Sequence, residues 1–166
     1  MASRGHSRDG LQRWIESVTS RHGLEIRTAT PGDAAGLAEL LESAGHALSE
    51  RDLTERLGAL RHASGTVLVA VQWGPPSGLV VLHWYPTLDD ARPTAQVTTL
   101  LVGSEERRRG IGRLLIKAAS QAARSAGCGR LEVLVGPEEP SLRGFCRATG
   151  FSEAGGRFTR SLRKQG

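Results

Sequence analysis

Apolar positions along the chain change their period several times, and each change marks an element. Leu11, Trp14, Ile15 and Val18 fall at helical spacing and predict a short amphipathic helix, ended by Gly23. Residues 24–27 read as a first strand. Thr30-Pro31-Gly32-Asp33 has the marks of a helix start: a capping threonine, a proline suited to the first helical position and an acid in the first turn. Leu37, Leu40, Leu41 and Ala44 supply the inward face of that helix. A second helix runs from about Glu50, with Leu53, Leu57 and Leu60 inward. Residues 66–72 and 79–85 read as strands, and the Gly74-Pro75-Pro76-Ser77-Gly78 turn between them predicts an antiparallel hairpin. Residues 94–102 make a long strand. Ile111, Leu114, Leu115, Ala118, Ala119 and Ala122 then mark a strong amphipathic helix, ended by Gly127. A strand at 131–135 follows, then a short helix opened by Pro140 and ended by Gly150, with Leu142, Phe145, Cys146 and Thr149 inward. Residues 151–154 and 158–162 read as a last hairpin. The order is strand, two helices, three strands, helix, strand, helix, two strands, which predicts an α/β sandwich on a mixed sheet.

The 166 residues suit one domain with one core. A hydrophobic share of 39% against 23% charged is a globular balance, not a disordered one. No apolar run approaches the ~18 residues of a membrane span. Residues 1–10 are polar and basic with no apolar region after them, so a secretory signal is not expected. Cys128 and Cys146 lie in different predicted elements, and a reduced, cytoplasmic protein is the default expectation. The net charge of +5 raises nucleic acid or anionic membranes as partners. Against nucleic acid, aromatic residues are only 4%, too few for stacking platforms. The arginines are scattered except for one cluster, Arg107, Arg108 and Arg109, which a phosphorylated small ligand explains equally well.

That cluster lies in the most informative segment. Leu100-Leu101-Val102 ends a strand, residues 103–106 turn, and Arg107-Arg108-Arg109-Gly110-Ile111-Gly112 opens the strong helix. A helix N-terminus presents unpaired backbone N–H groups and partial positive charge, a ready site for a pyrophosphate. Gly110 and Gly112 would let phosphate oxygens approach the backbone, and arginines can add charge-assisted contacts. An ordinary loop with a solvated arginine run is the competing reading. A nucleotide P-loop does not fit, because no Gly-Lys-Ser/Thr follows. A dinucleotide fingerprint would need a third glycine, which residues 113–116 lack.

Arg107-x-x-Gly110-x-Gly112 resembles the acetyl-CoA signature of the GNAT superfamily of N-acetyltransferases. Gly150-Phe151 after a short helix is similar to the family's Gly-Phe pair, and Leu131-Glu132-Val133 to a frequent run on its fifth strand. The element order from Leu24 to Leu162 fits as well. The resemblance implies a mixed, mostly antiparallel sheet splayed between its fourth and fifth strands and flanked by helices. It implies residues 24–166 as the acetyltransferase domain and leaves residues 1–23 as an extension whose helix face buries on its own domain or on the second subunit of a homodimer. It further implies acetyl-CoA as co-substrate, without a metal, held by Leu100, Leu101, Val102, Arg107, Arg108, Arg109, Gly110, Ile111, Gly112 and Arg113. Val102 matches the place where the family's strand splays and meets the pantetheine arm. Backbone N–H groups near Leu100 to Val102 would polarise the acetyl carbonyl during direct attack by the acceptor in a ternary complex.

Two positions depart from the family pattern. The run Phe-Tyr-x-x-x-Gly-Phe, whose tyrosine protonates the leaving thiolate, reads Phe145-Cys146-Arg147-Ala148-Thr149-Gly150-Phe151 here. A glutamate that acts as base in one branch falls at Gln96, which cannot serve. Glu132 matches a glutamate proposed as base in another branch, and Cys146 is a weak S–H donor at the acid position. His83 and His46 read equally as structural or exposed residues. The acceptor is expected to be a small amine or a peptide amine, with neither nucleic acid nor membrane as partner. Asp89 and Asp90, in the loop before the fourth strand, are the candidate acids to attract it, and a solvated surface is their plainer reading. A non-catalytic acyl-CoA-binding sensor is the alternative function.

Overall fold

The computed structural model describes residues 23–155. The helix expected over Leu11 to Val18 and the strand at 158–162 lie outside the described residues. The chain forms two compact units, one up to Leu134 and the other from Val135.

In the first unit, β1 (Glu25–Thr28) is followed by a single 3₁₀ turn at Pro31–Asp33 and by α1 (Ala34–Ser43). The helix start is built as the sequence suggested. The backbone N–H and the hydroxyl of Thr30 both donate to the Asp33 carboxylate, at 2.8 and 3.1 Å. Asp33 also receives two parallel hydrogen bonds from the Arg27 guanidinium, each 2.8 Å, which ties β1 to the helix start. Arg27 is the main reason the Asp33 carboxyl is held below its ordinary pKa. Ser49 caps α2 (Glu50–His62), accepting from the N–H of Asp52.

Next come β2 (Gly65–Val71), β3 (Gly78–Tyr85), β4 (Thr94–Val102), α3 (Ile111–Ser125) and β5 (Arg130–Val133). The strands lie in the order β1-β2-β3-β4-β5. The first three pairings are antiparallel and β4–β5 is parallel. The parallel pair follows from α3, since two strands joined through a crossover helix run the same way.

Alternation along the strands divides the core in two. Leu68, Ala70, Val80, Leu82, Ala95 and Val97 are buried on the α3 side of the sheet, together with Leu115, Ala119 and Ala122. Val67, Val69 and Leu79 face the other way, onto Leu37 and Leu40 of α1 and Leu53 and Leu57 of α2. Each such side chain contributes roughly 1.5–3 kcal/mol on burial, so both faces are needed to hold the sheet. Ala44, expected inward, is exposed, because α1 has already ended at Ser43. At the end of α3 the N–H of Cys128 reaches the carbonyl of Ala123 and that of Gly127 the carbonyl of Arg124, with Gly127 at φ +83°. This left-handed stop is the one expected from the glycine.

The second unit holds α4 (Pro140–Ala148), begun by its proline and stopped in the same way: the N–H of Phe151 bonds the carbonyl of Cys146. Arg143 and Arg147 both pair with Glu153. Residues 151–155 form no strand, contrary to the expected hairpin. A strand needs a paired neighbour, and the partner expected for this one lies outside the described residues.

Candidate functional site

The centre of the sheet is irregular. Val81 pairs with Thr99 but the next residue, Leu82, pairs with Val97, so Thr98 is an extra residue in β4. This bulge inverts the alternation along the strand. Ala95 and Val97 face α3 before it, and Leu100 and Val102 face α3 after it. Bulges bend a strand and increase its twist. The parallel ladder ends at the same point: β5 accompanies β4 only from Thr94 to Val97, with one last bond from the N–H of Leu134 to the carbonyl of Val97. From Thr99 to Val102, β4 is paired on its β3 side and, among the described residues, has no partner on its β5 side. The sheet therefore opens beside Leu100, Leu101 and Val102. The splay expected there is present. The bulge that accompanies it has no signature in the sequence.

Beyond Val102 the chain makes a 3₁₀ turn at Ser104–Glu106 and enters α3. Gly110 sits at the cap position at φ +83°, and no side chain caps the helix. A left-handed residue followed by helical ones aims consecutive N–H groups into one concavity, an anion-binding nest. A Cβ at Gly110 would meet nothing within 4 Å, so space lies open in front of that nest. Arg108 is also left-handed, at φ +63°, the only non-glycine residue with positive φ among those described. Such strain costs about 1–3 kcal/mol and gathers at functional sites. Arg107 and Arg108 are exposed and make no ion pair among the described residues, whereas Arg109 is spent on Glu106. The first turn of α3 packs closely on β3 because of Gly78. A Cβ there would fall 3.0 Å from the carbonyl oxygen of Leu101, 3.1 Å from Leu115 and 3.2 Å from Ile111. The sequence presented Gly78 only as a turn residue. A cleft of about 420 Å³ between Leu40, Trp73, Pro75, Pro76 and Gly103 borders this loop. It includes no residue from 107 to 113.

On the face that carries α1 and α2, polar residues line up across the strands. Gly65, His83, Gln96 and Glu132 are successive register partners on β2, β3, β4 and β5. Tyr85, Thr94 and Arg130 form the next row. Glu132 is half-exposed, 3.9 Å from the Arg130 guanidinium, which also lies 3.5 Å from Asp90. Asp90 further accepts from the N–H of Arg92, at 3.0 Å. Glu132 and Asp90 thus share one cation, while Asp89 is exposed beside them. Cys146, in the second unit, is buried, and burial pushes its thiol above the ordinary range. Among the described residues, no three His, Cys, Asp or Glu side chains gather as a metal site, and no helix is long and apolar enough to cross a membrane.

Residues 35–151 match the model of the acetyltransferase (GNAT) family. The chain belongs to the GNAT family. Among curated proteins none matches it, but the GNAT fold recurs widely among solved structures. A structure from Agrobacterium tumefaciens named as an acetyltransferase is 27% identical, with a TM-score of 0.75 over 83% of this chain and 99% of that one. A GNAT family acetyltransferase from Staphylococcus aureus is 17% identical, TM-score 0.72, covering 84% and 99%. An aminoglycoside acetyltransferase from an uncultured soil metagenomic sample, solved with sisomicin, is 22% identical, TM-score 0.71, covering 85% and 97%. GNAT membership implies use of acetyl-CoA, and the residues present suit it. The open β4 edge can accept an extended amide-bearing arm, and the nest at Gly110 has room and charge for phosphates.

Proposed function

We propose that this GNAT protein is an N-acetyltransferase moving an acetyl group from acetyl-CoA to a cationic amine by direct transfer in a ternary complex. The observation that carries the reading is the opening of β4 from β5 beyond Val97, in the strand that leads to the Gly110 helix start. Acetyl-CoA supplies an acyl thioester. The N–H groups of Gly110, Ile111 and Gly112 hold its phosphates, with Arg107 and Arg108 adding charge. Leu100, Leu101 and Val102 offer unpaired backbone to its arm, and their N–H groups stabilise the developing oxyanion. Arg109 belongs to the same loop, which it braces through Glu106, and Arg113 to the first turn of α3. The amine approaches the α1–α2 face, where Glu132, Asp90 and Asp89 attract its positive charge. An aminoglycoside-like amine and a peptide amine both fit these acids. Cys146 serves as a weak proton donor to the leaving thiolate.

Calorimetry with CoA tests the cofactor site. Reversing both exposed arginines (Arg107→Glu with Arg108→Glu) should weaken CoA about tenfold or more, because charge-assisted bonds are lost. Gly110→Asn tolerates the left-handed backbone and puts a side chain in front of the nest, with a similar expected loss. Unchanged affinity in both variants would refute the assignment. Thiol release with sisomicin, spermidine and a peptide bearing a free N-terminus tests the reaction. CoA binding without release from any amine would leave an acyl-CoA-binding module.

A further inference from the structure

We infer that His83 is the group that takes the proton from the acceptor amine, an assignment that rests on the N-acetyltransferase reading above. Alternation puts Leu82 and Trp84 on the α3 side of β3 and His83 on the opposite side, the side where the acids lie. His83 is half-buried, and its immediate partner across β4 is Gln96. Gln96 in turn pairs with Glu132. Neighbouring strands are ~4.8 Å apart, so the backbones of His83 and Glu132 stand roughly 10 Å apart with Gln96 between them. An ammonium group above Gln96 is within reach of both side chains. The row lies one residue before Val97, where β5 leaves β4, and so borders the opening.

The imidazole has a fixed seat. Its Nδ1 lies over Gly65, where a Cβ would come within 3.1 Å of that atom, 3.2 Å of the His83 Cα and 2.6 Å of the Leu82 carbonyl oxygen. Any larger residue at 65 would lift the ring. Glu132 is the other candidate base, but its carboxylate already faces the Arg130 guanidinium, 3.9 Å away. Its negative charge is instead suited to hold the ammonium. The chemistry balances as follows. One proton of R–NH₃⁺ passes to Nε2, giving the neutral amine and imidazolium. The amine nitrogen bonds to the acetyl carbon of the thioester, the C–S bond breaks and its electron pair leaves on sulfur. The thiolate takes a proton from Cys146, which the second nitrogen proton replaces, and imidazolium returns its proton to water. The charged and titratable groups around His83 are Tyr85 on its own strand, Arg130 and Glu132 on β5, Asp90 beside Arg130, and Arg61 and His62 in the last turn of α2, which packs on β2.

The experiment compares the full chain with His83→Gln and His83→Ala, using acetyl-CoA with sisomicin, spermidine and a peptide with a free N-terminus. CoA affinity, read by calorimetry, should stay within about twofold in both variants, which also reports an intact fold. Turnover should fall about 100-fold, the low end of general-base catalysis. Imidazolium cannot accept a proton, so parental kcat/KM should carry an acid limb that is missing in His83→Gln. Added imidazole should restore part of the activity of His83→Ala. Turnover within threefold of the parent, with an unchanged pH profile and no response to imidazole, would overturn the role of His83 alone. A parent that binds CoA yet acetylates none of the three amines would overturn the transferase reading, and His83 with it.

Discussion

A single thiol separates two mechanisms for this fold. Burial raises the Cys146 pKa, so the group is a neutral S–H near pH 7. A neutral thiol is a poor nucleophile and a weak donor. An acetyl-cysteine relay is therefore disfavoured, and help to a leaving thiolate, itself a good leaving group, should be small. Cys146→Ala is expected to lower kcat by less than about 30-fold, below the usual range for a well-placed acid. Mass spectrometry during turnover should find no acetyl adduct on the parental protein. An adduct that forms and decays at the turnover rate would reinstate the relay. At this scale the sequence was legible where chemistry and backbone coincide. Gly110, read in the Arg-x-x-Gly-x-Gly pattern as a place where a Cβ would be in the way, has open space before it at a helix start. It was silent on partnership: nothing in the string showed that Arg109 would be tied up by Glu106 or that Glu132 would share Arg130 with Asp90.

At the scale of elements, the join between β1 and α1 concentrates polar stabilisation in one carboxylate. Asp33, with its side chain only 8% exposed, accepts from Thr30 twice and from Arg27 twice. Asp33→Asn keeps the shape but loses the charge, and should cost about 2 kcal/mol, within the range for hydrogen bonds to ions. The pH dependence has a definite sign. Because the folded state lowers the Asp33 pKa, its contribution is complete above the unfolded value of ~3.9. It is lost as pH falls through the lower folded value. Urea denaturation should show the variant clearly weaker at pH 7, with the difference shrinking below pH 3. An equal difference at both pH values would mean that the charge is not what stabilises this join. The proline and threonine that begin this element were readable because capping is local. The bulge at Thr98 was not, because it depends on how β3 and β4 slide together.

The molecule as a whole repeats this division. Element order as far as α4 followed from periodicity, since a 3.6 period and a 2 period demand different partners. Register did not follow, and register is what makes a row of Gly65, His83, Gln96 and Glu132 from four distant stretches of chain. His83 looked ordinary in the string for that reason. The same register leaves β4 with two kinds of neighbourhood along nine residues. Among the described residues, 94–97 are flanked by ladders on both sides and 99–102 on one. Deuterium from solvent should trace that boundary. Amide protons turned into the opening have no ladder partner among the described residues, and should exchange orders of magnitude faster than those of Ala95 or Val97, although all lie in one strand. CoA should slow the first set and leave the second as it was. A strand that is uniformly protected before CoA arrives would mean that the two strands zip shut in solution, and that the ligand must prise them apart.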